Sequence, residues 1–363
     1  MPQLQGMGHG QATAELRRRV NMADASWEQA SSNMLVLGLM FVGVLFVIAF
    51  IGTWLARRYA VHRRLLDEPG DRRSHATATP RGGGISIVVA MLLAIAWLAW
   101  RAPTDAPLLL AIGAGLCLVA GIGWVDDHRP LSPLLRLVVQ AFASLLLGGA
   151  VADAGGGIPA ALATILLSMV LVNVWNFMDG INGLAASQAL LVALGYAMLA
   201  APGVATWLAL ALATACAGFL PFNAPRARVF LGDVGSGALG YLLAALVALI
   251  AFVHRDWARA PALLLPLSAF LVDSSLTLLA RMADRQRWWL PHTEHAYQHW
   301  ARRLQRHGPV TAAYAVWTLA MVIIMLAANT QRLAVTMTAL AVTGFAGLAA
   351  WSALRTATKD RTR

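Results

Sequence analysis

The chain alternates between long apolar runs and short polar connectors from about residue 34 to residue 352. Crossing a bilayer core takes about 20 apolar residues as a helix. Eleven runs approach that length: 34–54, 85–100, 107–125, 134–152, 158–174, 184–201, 206–222, 238–253, 262–280, 310–328 and 333–352. None shows the alternation of a half-buried strand, so the expected fold is all-α and polytopic, with about eleven transmembrane helices. The longest polar connectors are 55–84 and 281–309. The organisation expected is a polar leader over 1–33, a membrane domain over 34–353 and a tail over 354–363.

Composition supports that class. The 363 residues are 59% hydrophobic and 12% charged, whereas a soluble domain carries about 25% charged residues. The formal charge of +11 would suggest nucleic acid in a soluble protein. In a membrane protein it reflects arginine retained on the cytoplasmic side. With the connector after the first run placed in the cytoplasm, 20 of the 28 basic residues fall on that side, against four (Arg101, Arg255, Arg259, Arg332) on the other. This predicts N-terminus out and C-terminus in. Arg17, Arg18 and Arg19 violate the bias, which a true start at Met22 or Met34 would remove. Cys117 and Cys216 lie in apolar runs without metal-ligand spacing and read as small core residues.

The suggestive polar residues all fall on the side assigned to the cytoplasm. Asp126 and Asp127 follow the third run. They are either a solvated pair or seats for Mg²⁺ or a lipid phosphate, since magnesium takes one or two carboxylates plus water and phosphate oxygens. Asn173, Asn176 and Asp179 recur every three residues and would share one helical face. That stripe serves either interhelical hydrogen bonding or a ligand, with Gly180 and Gly183 allowing close approach. Gly232-Asp233-Val234-Gly235-Ser236-Gly237 opens the eighth run, where free backbone N–H groups can hold phosphate. It is not a Walker loop. His292, His295 and His299 have helical spacing among Arg281, Arg285, Arg287, Arg302 and Arg303. Zinc lacks a fourth ligand there, and contact of imidazole with a diphosphate fits better. Asp273 is the acid inside a span, which by default marks function. It either lines a cleft or pairs with a neighbouring helix, and it leaves a transporter as the competing reading. Against transport, the acids gather at one face and no repeat is visible.

Five segments in order resemble one family, the polyprenyl-phosphate N-acetylhexosamine-1-phosphate transferases (glycosyltransferase family 4). They are residues 67–75 with Pro80-Arg81-Gly82-Gly83-Gly84, then Asp126-Asp127, residues 173–183, Val229 to Ser236, and His295-Ala296-Tyr297-Gln298. The resemblance covers about residues 60–310. It implies an enzyme of the bacterial inner membrane with a cytoplasmic active site, transferring a sugar-1-phosphate from a UDP-sugar to undecaprenyl phosphate with Mg²⁺. It implies that Asp126 and Asp127 engage the lipid phosphate and that Asp233, with Asp179, holds the metal. Asn173, Asn176 and Asp179 would line the nucleotide-diphosphate site. Phe230 would stack on uracil near Asn223 and Asn182, and His295 with His292 would contact diphosphate or sugar. Asn182 stands where many members have Asp. The His-Ala-Tyr-Gln variant resembles the branch that primes O-antigen with 6-deoxy-N-acetyl sugars. Expected partners are the UDP-sugar, the polyprenyl phosphate and the membrane, with a homodimer as a candidate assembly and no nucleic acid.

Overall fold

The computed structural model describes residues 9–67, 78–253, 255–286, 292–328 and 333–359, with side chains described between 36 and 354. The motif over 67–75 therefore lies almost wholly outside the described residues, as do the side chains of the polar leader. The helices are α1 (His9–His62), α2 (Ile85–Arg101), α3 (Ala106–His128), α4 (Pro133–Val151), α5 (Gly157–Phe177), α6 (Leu184–Leu199), α7 (Val204–Asn223), α8 (Asp233–Val247), α9 (Ala260–Leu264), α10 (Ser268–Ala283), α11 (Ala296–Leu304), α12 (Gly308–Ala328) and α13 (Leu333–Lys359). Residues up to Val44 and from Leu45 onward form two compact units. In the first, only the α1 backbone and the side chains from Val36 are described. All that follows concerns the second.

By length and composition, eight helical segments can cross a membrane, and Ile85–Arg101 and Leu184–Leu199 are shorter apolar helices. One of the eight, Pro133–Phe177, is two helices. The chain reverses at Gly155 (φ +108°) and Gly157 (φ +77°), a backbone region that L side chains disfavour, and α4 then packs on α5. Counting that reversal, the expected eleven apolar runs are each found as a helix. The protein is a polytopic membrane protein. The all-α expectation needs one small correction: Leu66–Asp67 pairs antiparallel with Thr79–Pro80, closing the first long connector.

Helix α8 is the axis of the fold. Every residue from Val234 to Val247 is buried, and it packs against α3 and α5. Small residues make this possible. A Cβ on Gly240 would lie 2.2 Å from the Leu171 carbonyl, and one on Gly123 would lie 2.4 Å from that of Asp233. The outer faces stay apolar because they meet lipid, as Leu134, Leu166 and Val316 do at 68–70% exposure. For the same reason an apolar setting does not imply burial. Cys216 is buried, but Cys117 points outward, against the expectation that both are core residues.

Candidate active site

The C-termini of α3 and α5 meet the N-termini of α4 and α8 at one end of the bundle, and the polar residues converge there. Asp126 and Asp127 form part of the last turn of α3 and do not follow it. Their roles divide. Asp126 accepts Leu131 N–H (2.6 Å) and Arg136 Nη1 (3.0 Å). The same Nη1 reaches Asp233 Oδ2 at 3.1 Å, so one guanidinium nitrogen bridges two carboxylates. Asp233 Oδ1 accepts Asn176 Nδ2 (2.9 Å), which also reaches Ser236 Oγ (3.1 Å).

Asp127 is 3% exposed. Its Oδ1 accepts Asp233 N–H (3.1 Å) and its Oδ2 accepts Val234 N–H (3.2 Å), so it caps α8 from another helix. The backbone amides expected to be free for phosphate at this glycine-rich turn are thus occupied. Gly235 and Ser236 N–H turn back to Gly232 O. Gly232 has φ +76°, and a Cβ there would lie 2.5 Å from Asp127 Oδ2. Arg81 donates to the Asp127 carbonyl and holds Nε 3.9 Å from Oδ1. The glycines after Arg81 lie along the 230–231 segment: Gly83 and Gly84 N–H donate to Phe230 O (2.9 Å) and Leu231 O (2.8 Å). Two separated motifs are therefore one structural unit.

The expected polar stripe is shorter than its spacing suggests. α5 ends at Phe177, two residues before Asp179. Asn173 turns to Gln140 Oε1 (3.2 Å) and the Met169 carbonyl (2.8 Å), while Asn176 turns to Asp233. Asp179 lies in the following loop. Burial, then the charges of Asp233 and Asp127, hold its carboxyl well above the usual carboxylate range. Asn223 is 4% exposed and fully used within the chain, donating to Val229 O (2.9 Å) and accepting Gly183 N–H (2.8 Å). Asn182 Nδ2 donates to Pro225 O at 3.1 Å. These two asparagines shape the loop walls beside the half-buried Phe230.

The histidines do not share a helical face, because α11 begins at Ala296. His292 and His295 stack with ring centroids 4.9 Å apart, and His295 lies 5.9 Å from Phe177. Burial, then the charges of His295 and Arg281, push His292 down to about 4, so it is neutral at neutral pH. His299, on the helix, meets Arg302 Nη2 at 3.3 Å instead. Arg281 pairs with Glu294. Asp273, which motivated the transport reading, is engaged within the fold: its oxygens accept Ala296 N–H, Tyr297 N–H, Thr277 Oγ1 and Tyr314 Oη.

Among the described residues no three His, Cys, Asp or Glu side chains form a closed metal cage. The donor set nevertheless suits a hard divalent cation that keeps water and phosphate ligands. Asp126 and Asp233 are close enough to share a hydrogen bond, and Asp179 feels both Asp233 and Asp127. Asp126, Asp127 and Asp233 thus face Arg81 and Arg136, with Asp179 beside Asp233 and Asp127. Arg136, just inside the fourth apolar run, was given no role from the sequence. An ionisable group at that depth was itself the signal.

Residues 109–251 match the model of glycosyl transferase family 4. The chain is 31% identical over 239 residues to decaprenyl-phosphate N-acetylglucosaminephosphotransferase of Mycobacterium tuberculosis, covering 55% of this chain and 57% of that protein. It is 31% identical over 269 residues to phospho-N-acetylmuramoyl-pentapeptide-transferase of Acaryochloris marina, covering 65% and 69%. It is 38% identical over 200 residues to that of Moorella thermoacetica, covering 46% and 61%. The chain spans little more than half the length of the Mycobacterium tuberculosis and Mycobacterium leprae relatives it matches. The matched residues include the last turn of α3, Arg136, the loop after α5 and the start of α8: the chain belongs to glycosyl transferase family 4.

Proposed function

We propose that the protein transfers a sugar-1-phosphate from a UDP-sugar to a polyprenyl phosphate, releasing UMP. The observation that carries the reading is the convergence of four carboxylates, Asn176, Arg81 and Arg136 at one end of a membrane bundle. A lipid acceptor and a water-soluble diphosphate can meet only at such an end. In the reaction an oxygen of the lipid phosphate forms a bond to the sugar-bearing phosphorus. The bond from that phosphorus to the bridging oxygen breaks, and its electron pair leaves with UMP. Phosphoryl-type transfer demands alignment and charge stabilisation more than covalent help. The lipid phosphate is already anionic near neutral pH, so Asp126 serves to orient it through Arg136, and displacement is direct.

The remaining residues divide the work. Arg136 and Arg81 attract phosphate oxygens, and guanidinium forks suit that geometry. Asp127 holds the start of α8 so that Asp233 faces the site. Asp233 and Asp179 would hold Mg²⁺. When bound there, the ion supplies neutralisation of the diphosphate. Asn173 and Asn176 border the diphosphate, Phe230 stacks on uracil in a wall kept by Asn223 and Asn182, and His295 with neutral His292 contacts diphosphate or sugar. The site is cytoplasmic in this reading, with N-terminus out and C-terminus in, and the membrane is the bacterial inner membrane. The His-Ala-Tyr-Gln segment favours a 6-deoxy-N-acetyl sugar and a role in priming O-antigen. Support for the class comes from the family and from the relatives of Mycobacterium tuberculosis and Acaryochloris marina, which are named for phosphosugar transfer. A panel of radiolabelled UDP-N-acetylhexosamines, offered to membranes with undecaprenyl phosphate and Mg²⁺, tests it. Label should pass into organic solvent, most with the 6-deoxy donors. Absence of lipid product with every donor would refute it.

A further inference from the structure

Asp273 lies in the apolar run of α10, at 3% exposure, and binds three helices with one carboxylate. Its Oδ1 accepts Ala296 N–H (2.8 Å) and Thr277 Oγ1 (3.2 Å). Its Oδ2 accepts Tyr297 N–H (3.1 Å) from α11 and Tyr314 Oη (2.7 Å) from α12. The carboxylate also borders an apolar cavity of about 250 Å³, walled by Trp300, Trp317 and Trp351. Burying an ionised group beside such a wall is expensive. A helix N-terminus is capped at far lower cost by a neutral Ser, Thr or Asn at the capping position itself. Here that position is His295, and the cap arrives from 22 residues upstream.

What an ionised acceptor adds is a partner for imidazole. His295 Nδ1 lies 3.7 Å from Asp273 Oδ1. That is beyond hydrogen-bond length, but such pairs tighten when a ligand fills the site. The other groups facing the ring are Phe177 (5.9 Å), His292 (4.9 Å) and Tyr297 (5.9 Å between centroids). The α11 capping box also sets the Gln298 backbone N–H toward this side chain, but Nδ1 itself is buried without a hydrogen-bond partner, and Asp273 is the acidic acceptor beside it that can hold a proton there. The first turn of α11 is in turn pinned against the α5–α6 loop. Tyr297 Oη donates to Phe177 O at 3.0 Å, and it sits 2.2 Å from where a Gly180 Cβ would be. A shift of the carboxylate therefore moves His295 relative to Asp179.

We propose that Asp273 is a positioning residue for His295, holding Nδ1 and the start of α11 so that Nε2 is presented as an acceptor to a hydroxyl of the sugar. This rests on the transferase reading. The test is a double-mutant cycle on the full chain in lipid nanodiscs. Asp273→Asn should lower kcat about 10–100-fold, as loss of a histidine-orienting carboxylate does elsewhere, with KM for the UDP-sugar little changed. In a His295→Ala background it should cost less than about twofold more, because the two act as a unit. Tyr314→Phe, a milder change, should give a smaller loss that also vanishes in that background. Additive losses in either series would overturn the proposal. A second readout does not need activity. Histidine ¹⁵N spectra should show His295 protonated on Nδ1, and Asp273→Asn should abolish that preference. An unaltered His295 tautomer would overturn the proposal even if the wild type forms no lipid product, a result that would separately refute the transferase reading.

Discussion

Replacing Arg136 by Ala removes the single cation that bridges Asp126 and Asp233. Two charge-assisted hydrogen bonds of 3.0 and 3.1 Å are lost, each worth about 1.5–3 kcal/mol. The side chain is 29% exposed, so water recovers part of that, and a net loss of about 3 kcal/mol in transition-state stabilisation is the working figure. At about 1.4 kcal/mol per decade this is roughly a 100-fold fall in kcat/KM for the lipid phosphate. Arg136→Lys keeps the charge but not the second guanidinium nitrogen that stays available to a phosphate while Nη1 holds both carboxylates, and should fall about tenfold. Removing the cation also leaves Asp126 and Asp233 without their shared guanidinium, so the apparent affinity for Mg²⁺ should rise while turnover falls. Initial rates of lipid product, measured across lipid and Mg²⁺ concentrations, separate these effects. Wild-type rates in Arg136→Ala, or equal losses in Ala and Lys variants, would refute the assignment of this arginine to the site.

Asp127→Asn keeps the shape of the cap but can accept only one of the two amides at full strength. The other is left buried and unsatisfied, at about 1–3 kcal/mol, so thermal unfolding in detergent should come at a lower temperature even where residual activity survives. Gly232→Ala meets both a positive φ and a carboxylate 2.5 Å from the new Cβ, and should lower thermal stability and activity together, whereas Gly121→Ala, with open space around it, should do neither. The raised Asp179 carboxyl gives a pH signature. The unfolded chain ionises this group more readily than the fold does, so without divalent cation its contribution to stability is lost as pH rises through the raised value. Mg²⁺ or Asp179→Asn should flatten that slope in melting curves taken from pH 5 upward. His292 acts in the opposite sense: held down to about 4, it costs stability as pH falls below the ordinary histidine range, and His292→Gln should remove that acid-side loss.

The helices were legible because each apolar run is set by the bilayer, a local constraint that needs no knowledge of neighbours. The site was legible in part. Asp126, Asp127, Asn176, Asp179 and Asp233 stand out as polar residues at the edges of apolar runs, and the structure brings them together. Their division of labour was hidden, because it depends on pairings across the chain. Asp127 caps a helix that begins 106 residues later, and Gly83 pairs with Phe230. The spacing of Asn173, Asn176 and Asp179 suggested one helical face, but Met178 ends that helix. The histidine spacing likewise misled, because a cap supplied by Asp273 starts α11 only after His295. Asp273 looked like an isolated intramembrane charge for the same reason: its partners lie on α11 and α12, and nothing near it in the sequence announces them.

The central claim is that a phosphate-linked sugar moves to a lipid phosphate at the carboxylate end of this bundle. The most direct measurement is the nucleotide product. Purified protein, undecaprenyl phosphate, Mg²⁺ and a UDP-N-acetylhexosamine accepted in the panel should release UMP in a one-to-one ratio with lipid-linked sugar, and Asp233→Asn should abolish both. Release of UDP instead would mean that the sugar moves without its phosphate. Lipid product without UMP, or undiminished turnover in Asp233→Asn, would contradict the account.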